Sequence, residues 1–241
     1  IAIVSCVPSK RKTGGALIGD RIIMKAITNE TVLLAGGTGY LGGYIARLIS
    51  NRGITAKFIS RNANKLLKFQ SSKIQIIEAQ VTKPETLSQV CSGIDVVIST
   101  IGITRQKDGL TYMDVDYNAN MNLLREAQRA DVRKFIYVSA INGDKHRHLK
   151  IFEAKEKFVD ELKAATLNSF VIRPNGFFSD MGDFLQMAKR GRVFLFGDGH
   201  KKLNPIHGED LAQVCVGKMI AGAKECLAGG HDLLTQNELA T

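Results

Sequence analysis

An α/β fold with a doubly wound parallel sheet follows from three observations. Short apolar runs rich in β-branched residues recur at 32–35, 56–60, 73–78, 94–100, 132–140 and 169–173. Helix-compatible segments separate most of them, and this alternation is what a parallel sheet covered on both faces requires. The first run ends in Gly36-Gly37-Thr38-Gly39-Tyr40-Leu41-Gly42-Gly43 and passes at once into a helical pattern.

Thr31-Val32-Leu33-Leu34-Ala35 reads as a buried parallel strand. Beyond the glycines, Tyr40, Leu41, Tyr44, Ile45, Leu48 and Ile49 repeat four residues apart on one helical face. Strand, glycine turn and helix form the setting of a Rossmann-type dinucleotide site. Gly36 allows the tight turn, Gly39 admits a pyrophosphate close to backbone, and Gly42 lets the helix pack closely. The helix N-terminus supplies free N–H groups and a positive dipole end for phosphate. The second strand, 56–60, ends at Arg61, roughly 20 residues past the glycines, where such units choose their cofactor. An acid there would hold a ribose hydroxyl; the planar arginine fork suits a 2′-phosphate. NADP(H) is therefore expected over NAD(H).

Composition narrows the remaining classes. With 241 residues, 44% hydrophobic and 23% charged, the chain can bury a sizeable core. No apolar run approaches a membrane span. Cys6, Cys91, Cys215 and Cys226 show no metal-like spacing and read as reduced thiols in a cytoplasm. The net charge of +10 is spread along the chain with no aromatic-interleaved basic block, which speaks against a nucleic-acid partner. Residues 1–23 carry an apolar run followed by charges, the reverse of a secretory signal, and are expected to be a disordered extension. If they are instead a targeting segment, the setting is organellar.

Further elements are predicted in order: a helical turn at 62–69, a strand at 73–78, and a helix opened by Pro84 and running through Val90. The strand at 94–100 ends in Ile101-Gly102-Ile103, at the sheet edge where ligands bind. A long helix is expected over 117–130, a strand over 132–140 and a surface loop holding His146 and His148. In the next helix Lys155 sits within the stripe Ile151, Phe158, Val159 and Leu162, either snorkelling or held over a cofactor. After 169–173 come a helix over 184–190, a strand over 193–196 and a helix over 210–220. The domain reading is 24–176 for the cofactor domain and 177–241 for a small substrate-side lobe, with the end at Thr241 expected to be a truncation. Apolar surface left uncovered there allows a homo-oligomer. His207 reads as a substrate-side acid or, more simply, a turn cap.

Together these motifs resemble the atypical short-chain dehydrogenase/reductases, in the NmrA-like branch. The resemblance runs from about Val32 onward. It rests on the glycine turn, Val115-Asp116-Tyr117-Asn118 with Asn122-Leu123, and Lys134-Phe135-Ile136-Tyr137-Val138-Ser139-Ala140. Lys155, Arg173-Pro174-Asn175-Gly176-Phe177-Phe178 and Pro205-Ile206-His207-Gly208-Glu209-Asp210-Leu211-Ala212 complete it. Phe196-Gly197-Asp198-Gly199 adds a similarity to divinyl chlorophyllide reductase-like proteins, without assigning a substrate. The resemblance implies that Thr38, Gly39, Tyr40 and Leu41 meet the pyrophosphate and Arg61 the 2′-phosphate. It further implies that Gln80 and Val81 lie near adenine, and that Thr100, Ile101 and Gly102 run along the cofactor. Ser139 and Lys155 would act beside the nicotinamide, closed over by Pro174, Asn175 and Gly176, and no metal is implied.

One departure matters. The family's catalytic tyrosine falls four residues before Lys155, where this chain has Ile151. Chemistry then needs another acid, such as Tyr112, His207 or water, or does not occur. Two functions stay open: an NADPH-dependent oxidoreductase acting on a small-molecule substrate, and a non-catalytic NADP(H)-binding redox sensor or assembly factor.

Overall fold

The computed structural model describes residues 29–103, 109–195, 197–219 and 224–240. The expectations for 1–23 and Phe196 lie outside them. Six parallel strands follow the predicted runs closely: β1 Val32–Ala35, β2 Ala56–Ser60, β3 Ile74–Glu78, β4 Val96–Ser99, β5 Lys134–Val138 and β6 Asn168–Pro174. Two more strands, β7 Lys202–Leu203 and β9 Leu234–Thr235, pair antiparallel in a separate small ribbon. Between them in sequence, β8 Glu225–Ala228 joins the main sheet.

The main sheet has the order β3-β2-β1-β4-β5-β6-β8. The chain winds outward from β1 in one direction, then crosses back to place β4 on its other side. That reversal opens a crevice at the carboxyl ends of β1 and β4, the usual ligand position in such sheets.

Alternation along each strand divides the core between two faces. Val32 and Leu34 pack with Phe58, Ile136, Phe170 and Leu211, beneath helices α1 (Tyr40–Asn51) and α5 (Gly208–Gly217). Leu33 and Ala35 pack oppositely with Val97, Phe135, Tyr137 and Phe158, beneath α2 (Asn120–Arg129) and α3 (Lys150–Ala164). Two short helices, α4 (Gly182–Lys189) and α6 (Gln236–Ala240), lie with the ribbon.

Four differences from the sequence expectation have local causes. The helix expected after Pro84 is one 3₁₀ turn, Pro84–Leu87. Thr86 Oγ1 bonds back to the carbonyls of Gln80 and Lys83, and Gln89 takes a φ of 60°, so the helix cannot propagate. The helix expected from 117 starts earlier, as a π-helical turn over Met113–Ala119 leading into α2. Residues 192–195 form no strand, and Phe194 is 71% exposed. The seventh strand of the main sheet, β8, was not expected from the sequence: only Ala228 in it is buried, so it lacks the apolar alternation of the others. β8 and α5 belong to the main layers, while β7, β9 and α6 make up the small ribbon region.

Candidate functional site

The crevice at the strand reversal is a cavity of about 260 Å³. The carboxyl ends of four adjacent strands build it, each contributing residues at or just past its last pairing.

From β1 come Gly36, Thr38 and Gly39. Gly36 has a φ of +93°, and a Cβ there would fall 2.4 Å from Thr100 Oγ1, so this turn admits glycine alone. A Cβ on Gly42 would lie 2.0 Å from the Gly36 carbonyl oxygen, which is how closely α1 returns onto the turn. A Cβ on Gly39 would meet nothing nearer than that same oxygen at 3.3 Å, so its outer side is open. No acidic side chain occupies the first turn of α1, leaving its N–H groups available to an anion.

Ile59, Ser60 and Arg61 enter from β2, and Ala79, Val81 and Thr82 from β3. Gln80 folds into its own loop: its Nε2 donates to Thr82 Oγ1 at 3.0 Å. The end of β4 supplies Thr100, Ile101, Gly102 and Ile103, with Leu110 and Val115 facing them. Thr100 Oγ1 donates to the Ala35 carbonyl, tying β4 to β1 at the floor.

Eight expected site residues thus line one cavity: Gly36, Thr38, Gly39, Arg61, Val81, Thr100, Ile101 and Gly102. The others are placed around it. Leu41 and Gly42 are buried in the first turn of α1. Tyr40 packs edge-on against Tyr44 and Phe177, and its hydroxyl accepts from Gly208 N, holding α5 to α1. His207 caps α5, its Nδ1 accepting from Glu209 N, and its Nε2 lies 3.3 Å from the Tyr44 hydroxyl. Pro174, Asn175 and Gly176 leave β6 at the same sheet edge and are bonded to Ile141, Ala228 and Ile206.

Ser139 and Lys155 are each engaged by buried acids. Ser139 Oγ donates to Glu156 Oε1 at 3.0 Å and is 5% exposed. Lys155 Nζ lies 2.8 Å from Asp116 Oδ1, directly below Gly102. Burial opposes the ammonium charge, but Tyr137 and Asp116 outweigh it and hold the lysine above its usual pKa. Ile151 stands half-buried one turn earlier on α3.

Sequence reasoning gave no role to Asp116, Asn120, Tyr137 or Glu156. Asn120, fully buried, accepts from Ser99 Oγ at 2.6 Å and donates to the carbonyls of Ile101, Val115 and Asp116. The signal was present: Asp116 and Asn120 are four residues apart, on the same helical side as the buried Leu123 and Leu124.

A sequence profile of NAD(P)H-binding proteins matches residues 36–219, the whole cavity wall included. The chain belongs to this NAD(P)H-binding family. Among its relatives, the photosystem II assembly factor Ycf39 of Synechocystis is 30% identical over 146 residues, 61% of this chain and 44% of that protein. The chloroplastic divinyl chlorophyllide a 8-vinyl-reductase of Zea mays is 30% identical over 202 residues, 77% of this chain and 50% of that protein. The chain therefore spans about half the length of these relatives. A nucleoside-diphosphate-sugar epimerase from Staphylococcus aureus superposes with a TM-score of 0.74 at 15% identity, over 87% of this chain and 74% of that one. The expected family and doubly wound fold are both borne out. No helix among the described residues is long and apolar enough to cross a membrane.

Proposed function

We propose that this member of the NAD(P)H-binding family prefers NADP(H) and is an oxidoreductase acting on a small molecule. The supporting observation is Arg61. It lines the cavity at the carboxyl end of β2, while no lining residue among those described carries a carboxylate. An acid at that edge would repel a 2′-phosphate; a guanidinium receives it. In this reading the glycine turn and the N-terminus of α1 take the pyrophosphate, and Thr100 to Gly102 support the nicotinamide half. NADPH, when bound, supplies hydride. Lys155, paired with Asp116 beneath Gly102, would hold the nicotinamide ribose through a remaining ammonium donor. With Ile151 at the expected tyrosine position, a proton comes from water or from a side chain such as Tyr112.

Titration of the purified protein with NADPH and NADH, followed by nicotinamide fluorescence, tests the cofactor. A charge-assisted phosphate contact is worth roughly 1.5–3 kcal/mol, so Arg61→Ala should weaken NADPH about tenfold or more and leave NADH nearly unchanged. Equal curves for both cofactors in the unmodified protein overturn the preference.

A second reading, a non-catalytic redox sensor or assembly factor, is favoured by a specific observation. Ile151 offers no proton, and Ser139 is committed to Glu156. NADPH consumption across a panel of unsaturated and carbonyl substrates separates the two: tight binding with no consumption favours the sensor. The buried, free Cys91 and Cys215 support a thiol-reducing compartment, cytoplasmic or organellar. Exposed Leu185 and Phe194 support self-association, which a monomer at every concentration in sedimentation would remove.

A further inference from the structure

Three polar side chains from three separate elements converge beneath Gly102. Lys155 reaches in from α3, Asp116 from the π-helical turn ahead of α2, and Tyr137 from β5. Lys155 Nζ is 2.8 Å from Asp116 Oδ1 and 5.7 Å from the centre of the Tyr137 ring. The Asp116 side chain is 0% exposed and that of Lys155 only 12%. Apart from the ion pair, Asp116 Oδ1 has no partner, and the buried Tyr137 hydroxyl makes no hydrogen bond of normal geometry.

Gly102 is what brings this group to the cavity. A Cβ there would sit 2.6 Å from Asp116 Oδ1 and 2.9 Å from Lys155 Nζ. The ammonium and the Asp116 carboxylate oxygen together therefore occupy the space a side chain at 102 would fill, immediately behind exposed cavity wall. The other Asp116 oxygen, Oδ2, accepts from Ile103 N at 3.2 Å. One carboxylate thus fixes both the lysine and the backbone of the wall in front of it.

We infer that Asp116 is the positioning residue for Lys155, pinning its ammonium behind Gly102 and keeping it charged. A lysine has three donors and a long flexible stem, so a cation fixed in place needs at least one acceptor that does not move. Asp116 provides it from a turn that is itself clamped by Asn120, whose Nδ2 donates to the Val115 and Asp116 carbonyls. Burying either charge alone is costly, so the two are retained as a pair. What the cation meets in the cavity rests on the reading of that cavity as a cofactor site; the pairing of Asp116 with Lys155 does not.

The groups facing the ammonium are Asp116 from the π-helical turn and Tyr137 from β5; Glu156, next along α3, is turned to Arg173. Burial pushes Tyr137 up to about 12, so near neutral pH it is an uncharged phenol. The charge that holds Lys155 protonated there is Asp116.

The test follows the titration of Lys155 itself. In the full chain, acetylation of each lysine by acetic anhydride is read by peptide mass spectrometry across an alkaline pH series, with Lys163 on the same helix as the internal reference. Asp116→Asn keeps an acceptor for Ile103 N but removes the charge. The expected result is a Lys155 midpoint lowered by at least one pH unit, equivalent to about tenfold more free amine at a given pH, with Lys163 unchanged. Tyr137→Phe should leave the midpoint above that of Lys163. An unchanged Lys155 midpoint in folded Asp116→Asn overturns the inference. If Asp116→Asn does not fold, ¹⁵N NMR titration of lysine Nζ in the unmodified protein decides: a Lys155 midpoint above that of exposed lysines supports the role, and one at or below them overturns it. NADPH titration of the same proteins is scored separately. Failure of the unmodified protein to bind NADPH overturns the proposed function and leaves the midpoint comparison to judge Asp116.

Discussion

Arg173 and Glu156 meet fork to fork inside the protein, with Nη1 2.5 Å from Oε1 and Nη2 2.8 Å from Oε2. Their side chains are 5% and 1% exposed. The same guanidinium donates to the Ala140 carbonyl and, through Nε, to Glu225 on β8. One arginine at the end of β6 therefore ties together β5, α3 and β8. Removing either partner leaves a buried charge with too few ligands, a loss of about 3–5 kcal/mol. Urea unfolding of Arg173→Ala and of Glu156→Ala should show it. The double variant Arg173→Met/Glu156→Leu should recover most of that loss, since no unpaired charge remains. Single variants as stable as the parent would show that the pair is dispensable.

Acid should weaken the same junction from its outer side. Burial works to raise the Glu225 carboxyl, but bonds from Lys163 and Arg173 prevail and hold it below its usual 4.5. A folded-state pKa below the unfolded one contributes stability above the unfolded value and loses it as pH falls through the folded value. Thermal melting should thus be flat near neutrality on account of this group and decline below about pH 4.5. Glu225→Gln should lower stability near pH 7 and flatten part of that acid decline. An identical acid profile in the variant would remove Glu225 from the account.

Sequence and structure agree where physics is local and part company where it is not. The strands β1, β4, β5 and β6 were legible because their apolar runs are buried on both faces, and β2 and the edge strand β3 because short β-branched runs alternate with the helical segments. Gly36 and Gly42 were legible because each meets a steric limit within a few residues. Arg61 was legible because a strand end fixes its place. The roles of Asp116, Asn120 and Glu156 were not: each is a polar residue in a helical segment, ordinary in the sequence, that becomes a hub only when α2 and α3 close over the same sheet face. Ser139 carried a motif, yet its hydroxyl direction depends on Glu156, 17 positions away. The turn after Pro84 was lost to a single Thr86 hydroxyl competing for backbone carbonyls.

The glycine turn offers a sharp comparison between neighbours. A Cβ on Gly42 would strike the backbone of Gly36 at 2.0 Å, whereas one on Gly43 would find only Gly37 O at 3.9 Å. Gly42→Ala must push α1 away from the turn, an overpacking cost of about 1–3 kcal/mol, and should displace the N–H groups that receive phosphate. Gly43→Ala should be neutral or slightly stabilising, since alanine favours the helix by roughly 1 kcal/mol. Melting temperature and NADPH affinity should fall together in the first variant and in neither measure in the second. Equal behaviour of the two would mean that α1 does not depend on this close approach.

Asn120 carries the most specific expectation for the cavity wall. Its amide accepts from Ser99 Oγ and donates to the carbonyls of Ile101, Val115 and Asp116, and the Asn120 side chain itself is fully buried. Asn120→Leu keeps the volume but removes every one of these bonds. Each buried polar group left unpaired costs about 1–3 kcal/mol, and relaxation will recover some, so a net loss on the order of 2–4 kcal/mol is expected. Ser99→Ala, which leaves the amide its three carbonyls, should cost about 1 kcal/mol. Because Ile101 lines the cavity, Asn120→Leu should also weaken NADPH binding, while Ser99→Ala leaves it largely intact. Urea unfolding and NADPH titration on both variants check this. A stable Asn120→Leu protein with unaltered NADPH affinity would show that the backbone from Ser99 to Ile103 holds its shape without the amide.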